Sequence, residues 1–184
     1  PEDRLRERDD RPAAEALEHA HGCGVIHRDI KPANIIRRRS DGGLVLVDFG
    51  AAKQATQTML AKTGTVIGSP EYVALEQVRG KPAFASDIYS LGVTCIFLLT
   101  QVSPFDLFDL SQDAWVWRDY LVDNPVDEKL GKVLDQMIVN ALPQRYPSAT
   151  AVLAALADSR TNTLNRVRDY LEINVNRQSI DSPA

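Results

Sequence analysis

The spacing of apolar residues predicts a chain built mainly from α-helices. Apolar positions follow the i, i+3, i+4, i+7 pattern of a helix after Pro12, and Gly22 stands just beyond its end. A far more apolar helix is predicted over residues 86–100, where apolar side chains cover nearly the whole circumference. Such a helix is expected to run through the core of the fold. Two further helices fit residues 127–140 and 148–158.

Between the first two predicted helices the pattern changes to short strands. Residues 35–36 and 44–47 are apolar runs, and Asp41-Gly42-Gly43 separates them as a hairpin turn. Residues 51–69 are rich in Thr, Ala, Gln and Gly and show little periodicity, which is typical of a long loop. Long loops in compact domains are usually functional or disordered.

The same pattern divides the chain into three parts. Residues 1–11 are mostly polar and fit either a short piece of helix or a disordered remnant. Residues 12–158 carry the regular periodicity, and we expect one domain there, because 184 residues are enough for one core and short for two. Residues 159–184 form a tail that keeps some helical spacing and then becomes rich in Asn, Gln and Ser.

Composition and charge narrow the classes of function. A hydrophobic fraction of 44% with 25% charged residues is ordinary for a globular protein. The net charge of −4 gives no electrostatic reason to expect a nucleic acid or an anionic membrane surface as a partner. The longest apolar run, residues 91–99, is far shorter than the roughly 20 residues that cross a bilayer. We therefore expect a cytoplasmic protein without a membrane span.

Four polar residues near the predicted hairpin form a set suited to phosphoryl transfer. This reaction needs a carboxylate that orients the accepting hydroxyl, oxygen ligands for Mg²⁺ and positive charge beside the migrating group. Asp29 and Asn34 lie five residues apart in one loop, with Lys31 between them. Asp48 stands at the end of the returning strand and is expected to meet that loop. Its carboxylate and the Asn34 amide offer the oxygen ligands that Mg²⁺ prefers.

Five motifs follow one another in one order along the chain: HRDIKPAN at residues 27–34, DFG at 48–50, GSPEYVALE at 68–76, SDIYSLG at 86–92 and QRYPSA at 144–149. The first two resemble the catalytic loop and the magnesium-binding motif of the eukaryotic-like Ser/Thr protein kinases. The other three resemble the end of that family's activation loop, the start of its central helix and the segment around its late arginine. Within this family, the sequence is most similar to the bacterial members.

The resemblance implies a kinase that uses ATP and Mg²⁺ to phosphorylate Ser or Thr hydroxyls of a protein substrate. Lys31, two residues after Asp29, is similar to the Ser/Thr class. Asp29 is implied as the catalytic base or orienting group, and Lys31 as the contact to the γ-phosphate. Asn34 and Asp48 are implied as the magnesium ligands that hold the nucleotide.

Three further residues are implied to regulate the site or to line it. Arg28 is implied to bind a phosphate group on Thr65, which lies at the family's usual position in the activation loop. Thr65 equally fits an unmodified loop hydroxyl. Ser69 is implied to line the substrate pocket, where it replaces a threonine and keeps the hydroxyl.

Three other residues are implied to support the site from within the fold. Glu76 and Arg145 are expected to form a buried ion pair. Asp87 is expected to accept hydrogen bonds from the backbone of the catalytic loop. Its position at the start of an apolar run equally fits a helix N-cap.

The sequence departs from the family in two places. The residues before Asp29 include no glycine-rich phosphate loop and no strand lysine for the phosphates, and Leu75 stands where the family has proline. The fold expected is therefore the mostly helical large lobe of a protein kinase, with small β-hairpins and without the N-terminal β lobe. Two functions remain open: a Ser/Thr kinase whose small lobe is supplied elsewhere, or a catalytically inactive kinase-like module that binds proteins. In either case, we expect the 184-residue chain alone to be a poor catalyst.

Overall fold

Helices carry most of the regular structure, and every strand is short. The computed structural model describes residues 13–40, 43–49, 53–54, 69–122 and 125–157. In chain order the elements are α1 (Ala13–Gly22), β1 (Val25–Ile26), β2 (Ile35–Arg37), β3 (Leu44–Leu46), β4 (Lys53–Gln54), α2 (Leu75–Val78), α3 (Phe84–Thr100), β5 (Phe108–Asp109), β6 (Ala114–Trp115), α4 (Glu128–Met137) and α5 (Ala149–Ala157). Single 3₁₀ turns lie at Pro32–Asn34, Trp117–Tyr120 and Leu142–Gln144. The prediction of a mainly helical domain with small hairpins agrees with this inventory.

Helix α3 forms the centre of the core, because most of its surface is apolar. Its fully buried apolar residues include Ile88, Val93 and Ile96. The helix begins two residues before the predicted start, since the Ser86 hydroxyl accepts a hydrogen bond at 3.0 Å from the Ala83 amide and so caps the first turn. It ends where Gln101 adopts a left-handed φ of 58°.

The remaining helices surround α3. Helix α4 packs against it at Gly92, where a Cβ atom would lie only 2.8 Å from the Met137 Cβ, so the close approach requires glycine. Asp127 is the N-cap of helix α4, and its Oδ1 accepts hydrogen bonds from the amides of Lys129 at 3.1 Å and Leu130 at 2.9 Å. Helix α5 packs on both α1 and α4 and joins the start of the domain to its end.

Within the described residues, the strands form three antiparallel pairs around this helical core. The predicted hairpin is present as β2 and β3, with Ile35 opposite Leu46. Strand β4 lies within the segment predicted to be a loop and pairs with β1, and β5 pairs with β6 without any signal in the sequence. Two-residue strands are too short to show an alternating pattern, so these pairs could be found only in the fold. Most of residues 51–69 lie outside the described residues.

Candidate active site

The loop of residues 27–34 is held by one buried carboxylate. Asp87 lies in the first turn of α3 and is fully buried. Its Oδ2 accepts a hydrogen bond from the His27 amide at 2.8 Å, and its Oδ1 accepts one from the Arg28 amide at 2.9 Å. His21 Nε2, at the end of α1, lies 2.9 Å from the same Oδ2. The N-cap of α3 is Ala83, so the alternative that Asp87 caps the helix is wrong.

A buried histidine connects this loop to the strand that leads to Asp48. His27 is fully buried, and its Nδ1 accepts a hydrogen bond from the Asp29 amide at 3.4 Å. Its Nε2 donates to the Val47 carbonyl at 3.0 Å, an arrangement that places the ring proton on Nε2. The Phe49 ring packs on the imidazole with centroids 4.5 Å apart. His27 is therefore a structural residue between two parts of the site.

Donors from three residues converge on the Asp29 carboxylate. Ser69 donates its amide and its hydroxyl to Oδ1 at 3.0 and 3.1 Å. Lys31 Nζ lies 2.9 Å from Oδ2, and Asn34 Nδ2 donates to the same oxygen at 3.0 Å. Lys31 also donates to the Ser69 hydroxyl at 2.9 Å. Because an ionised carboxylate has about four acceptor positions, these contacts fix its orientation.

The same contacts keep Asp29 ionised. Partial burial disfavours the charged form, but the hydrogen bonds from Lys31 and Ser69 outweigh it, and the pKa of the Asp29 carboxyl lies below its ordinary value of 3.8. A carboxylate of low pKa is a weak base, but it stays ionised and can still accept hydrogen bonds. Its chemistry is therefore suited to orienting a hydroxyl group more than to removing its proton early in a reaction.

The two residues predicted to bind Mg²⁺ flank the β2–β3 hairpin, one just before β2 and the other just after β3. Asn34 precedes β2, and its amide nitrogen donates to the Asp29 carbonyl at 2.7 Å as well as to the Asp29 carboxylate. The Asn34 Oδ1 atom takes no part in these bonds. The Val47 amide donates to the Asn34 carbonyl at 2.9 Å, which brings the exposed Asp48 close to Asn34.

This donor set fits a magnesium ion that also binds phosphate. Mg²⁺ sites of this kind use one or two protein ligands and complete their coordination with water and phosphate oxygens. Within the described ranges, no three His, Cys, Asp or Glu side chains cluster as metal ligands. Near Asp29, the described part of the chain thus offers Mg²⁺ the side-chain oxygens of Asn34 and Asp48 as ligands.

A buried ion pair supports the segment that follows Ser69. Arg145, on the loop before α5, donates to Glu76 of α2 at 2.6 and 3.3 Å. Burial opposes ionisation of Glu76, but hydrogen bonds from Arg145 and Ser86 outweigh it and hold the pKa of this carboxyl below its ordinary value of 4.5. The Arg145 guanidinium also lies 4.9 Å from the centre of the Tyr89 ring. These contacts attach α2 to the helical core.

Comparisons with known proteins identify the family. The family model described as "Protein kinase domain" matches residues 11–155. This chain belongs to the protein kinase family. Serine/threonine-protein kinase C of Synechocystis sp. is 41% identical over 152 residues, which are 79% of this chain and 28% of that protein. PknA of Nostoc sp. is 39% identical over 76% of the chain and 26% of its own length. A probable PknB of Corynebacterium glutamicum is 46% identical over 88% of the chain and 27% of its own length.

The relatives confirm that this kinase-family chain is of the bacterial, eukaryotic-like Ser/Thr type. The chain spans little more than a quarter of the length of the three relatives. None of the helices in the described part of the chain is long and apolar enough to cross a bilayer.

Within this kinase-family domain, the structure brings most of the predicted site residues together. Asp29, Lys31, Asn34 and Ser69 form one hydrogen-bonded cluster, and Asp48 lies beside Asn34. Glu76 and Arg145 pair with each other, and Asp87 binds the backbone of the loop at residues 27–34. Arg28 is only 5% exposed, and its predicted partner Thr65 lies outside the described residues.

Sequence reasoning missed three polar residues around the catalytic loop. Gln77 of α2 donates to the Arg28 carbonyl at 2.6 Å. His21 of α1 contacts Asp87, and Ser86 of α3 donates to Glu76 at 2.7 Å. Their partners lie 49, 66 and 10 residues away in the chain. No local sequence pattern marks the two longer-range contacts, those of Gln77 and His21.

Proposed function

We propose that the protein containing this chain is a serine/threonine protein kinase that transfers the γ-phosphate of ATP to hydroxyl groups of protein substrates. The observation that carries the proposal is the cluster on Asp29, in which Ser69, Lys31 and Asn34 all contact one carboxylate. Phosphoryl transfer depends mainly on positioning and electrostatic stabilisation, and this cluster supplies a fixed acceptor next to a cation.

Asp29 would bind the hydroxyl group of the substrate. The hydroxyl replaces one of the donors now on the carboxylate, and the adjacent Ser69 lies where it contacts the same substrate residue. The reaction forms a bond between the hydroxyl oxygen and the γ-phosphorus and breaks the bond from that phosphorus to the β,γ-bridging oxygen. The hydroxyl proton passes to Asp29 late in the reaction, as its low pKa implies.

Lys31 would contact the migrating phosphoryl group. Its ammonium lies 2.9 Å from Asp29 and 2.9 Å from the Ser69 hydroxyl, so it already faces the position of the attacking oxygen. Negative charge on the phosphoryl oxygens is stabilised by a cation held at this place. Lys31 is therefore assigned to charge stabilisation and Asp29 to orientation.

Asn34 and Asp48 would hold Mg²⁺ together with the phosphates of ATP. When bound, Mg²⁺ neutralises charge on the phosphate oxygens and orients them. Asn34 is suited to this because its amide nitrogen is engaged by Asp29, which leaves the oxygen end for the ion. Because ATP is an intracellular substrate, we propose that this domain acts in the cytoplasm.

The proposed domain organisation follows the same assignment. Residues 12–158 would form the large lobe with the catalytic loop, the activation loop and the helical core. Residues 1–11 and 159–184 would lie outside it as the N-terminal remnant and the C-terminal tail. Arg28 and Thr65 would form the regulatory pair, with a phosphate group on Thr65 bound by the Arg28 side chain.

The experiment compares phosphate transfer by the full-length gene product and its variants. Labelled ATP with Mg²⁺ and a generic protein substrate measure the rate. Asp29→Asn removes the orienting carboxylate and Asp48→Asn removes a metal ligand, so we expect each to lower the rate at least tenfold, about 1.4 kcal/mol of barrier stabilisation or more.

Asp109→Asn is the matched control. This carboxylate lies at the end of β5 and accepts hydrogen bonds from Ser111 and Gln112 within the same turn. We expect this variant to keep the parental rate. Circular dichroism checks that all three variants are folded. Retention of more than about a tenth of the rate by Asp29→Asn would contradict the proposal. A folded parent protein without transfer would favour the catalytically inactive binding module.

A further inference from the structure

The peptide group between Arg28 and Asp29 is held at both of its polar atoms. Its carbonyl oxygen accepts a hydrogen bond from Gln77 Nε2 at 2.6 Å. Its N–H faces His27 Nδ1 at 3.4 Å, a longer contact. This peptide leads directly to the Cα atom of Asp29. Its orientation therefore sets the direction in which the catalytic carboxylate leaves the backbone.

The backbone at Arg28 requires such support. Its φ of 71° lies in the left-handed region, which residues other than glycine rarely adopt. A residue persists in this conformation only when its surroundings over-determine it. Asp87 accepts a hydrogen bond from the Arg28 amide at 2.9 Å, and Gln77 donates one to the Arg28 carbonyl. The two side chains thus hold the peptide groups on both sides of the Arg28 Cα atom.

Gln77 is itself placed on a fixed element. It is only 7% exposed and lies in the short helix α2 (Leu75–Val78). The preceding residue, Glu76, is bound by Arg145 and by the Ser86 hydroxyl. The ion pair fixes the helix, and the helix fixes the amide of Gln77. A supporting residue on a rigid element can hold its partner more accurately than one on a free loop.

We propose that Gln77 is a positioning residue for phosphoryl transfer, which acts by holding the Arg28–Asp29 peptide. The inference rests on the proposed kinase function. Gln77 does not contact the reacting atoms in this scheme and acts only through the direction of the Asp29 side chain. A merely structural glutamine would affect the free energy of unfolding, whereas a positioning residue also affects kcat.

The Arg28 carbonyl bound by Gln77 determines which replacements of Gln77 test its role. A carbonyl oxygen needs a donor, and the Gln77 amide nitrogen supplies it. Leucine has a similar volume and no donor. Glutamate keeps the shape, but its ionised carboxylate would face the carbonyl with an acceptor, while its protonated form could donate again. Because burial raises the pKa of a carboxyl group, lowering the pH favours the protonated form of Glu at this position.

The experiment measures kcat and the KM for ATP with the full-length gene product. We expect Gln77→Leu to lower kcat about tenfold, the effect of one lost hydrogen bond, with the KM for ATP within about twofold of the parent. We expect Gln77→Glu to show a similar loss near pH 8. Its kcat relative to the parent should rise as the pH falls to about 6, because the protonated carboxyl regains the donor.

Dividing the kcat of the variant by the kcat of the parent at each pH removes the pH dependence that other ionisable groups near this peptide contribute to both proteins. The ionisable side chains of His27, Asp29, Glu76 and Asp87 are present in both proteins. Gln101→Leu is the matched control, because the Gln101 amide donates to the Leu98 carbonyl at 3.0 Å at the end of α3. It loses a hydrogen bond of the same kind, and we expect its kcat to be unchanged.

Two results would overturn the inference. One is a Gln77→Leu variant with kcat within about twofold of the parent. The other is a Gln77→Glu variant whose kcat stays within about twofold of the parent at both about pH 8 and about pH 6, a result that does not depend on whether Gln77→Leu folds. Failure of the proposed function gives a different result: the parent would then transfer phosphate no faster than Asp29→Asn, and the inference would fall with it.

Discussion

Replacement of Arg145 by alanine tests how much the buried ion pair contributes to stability. The Arg145 side chain is 0% exposed, and its guanidinium donates to both carboxylate oxygens of Glu76. It also donates to the main-chain carbonyls of Ala85, Val139 and Asn140. Alanine removes all of these donors and leaves the Glu76 carboxylate with Ser86 as a side-chain donor.

The expected loss in the free energy of unfolding follows from these contacts. Removing one partner of a buried pair costs about 3–5 kcal/mol, because the other charge stays buried without compensation. The Glu76 side chain is 14% exposed, so water can partly solvate the abandoned carboxylate, which lowers the cost. The three main-chain carbonyls that lose a hydrogen-bond donor raise the cost. We therefore expect Arg145→Ala to lower the free energy of unfolding by about 3–5 kcal/mol.

Urea unfolding of parent and variant proteins, followed by circular dichroism, measures this difference. Arg118→Ala is the matched control, since Arg118 also binds a carboxylate with two hydrogen bonds of 2.7 Å, but with side chains 48% and 44% exposed in the pair with Asp135. We expect a loss of about 1 kcal/mol or less for this exposed pair. If Arg145→Ala loses no more than the control, the assignment of Glu76 and Arg145 as a stabilising buried pair is refuted.

Two further predictions concern regulation and acid stability. Thr65→Ala should lower kinase activity, and mass spectrometry of the active protein should find a phosphate group on Thr65 or Thr63; a fully active protein without phosphate on this loop would rule the regulatory role out. The lowered pKa of Glu76 means that its contribution to stability is present above the unfolded value near 4.5 and is lost as the pH falls through the lower folded value. When the pH is lowered from about 6 to 3, the free energy of unfolding measured by urea titration should therefore fall less for Glu76→Gln than for the parent. An equal fall in both proteins would contradict the assigned pKa shift.

Local features of this chain could be predicted from sequence because they depend on neighbours. The apolar circumference of α3 and the hairpin of β2 and β3 followed from periodicity and from the Asp-Gly-Gly sequence between the two apolar runs. Asp29, Lys31 and Asn34 lie within one loop, so their spacing alone indicated that they share a site. The resemblance of that loop to the protein kinases then indicated the family, which the comparisons confirm.

Helix boundaries were less predictable, because caps depend on single side chains. Helix α3 starts two residues before its predicted position, since the Ser86 hydroxyl accepts from the Ala83 amide. Helix α4 ends at Met137, before the predicted end at residue 140, and the carbonyls of Val139 and Asn140 bind Arg145 instead. A side chain five and six residues farther along the chain thus binds these carbonyls where periodicity predicted more helix.

Only the tertiary structure could reveal the contacts that hold the catalytic loop. Asp87 lies 59 residues from Arg28 in the chain, and Gln77 lies 49 residues from it. Periodicity reports which face of an element is apolar, and it carries no information about which buried polar groups meet across the core. Buried backbone groups need hydrogen-bond partners, but any nearby donor or acceptor can satisfy them. The choice of Gln77 and Asp87 as those partners is therefore decided by how α2 and α3 pack around the loop.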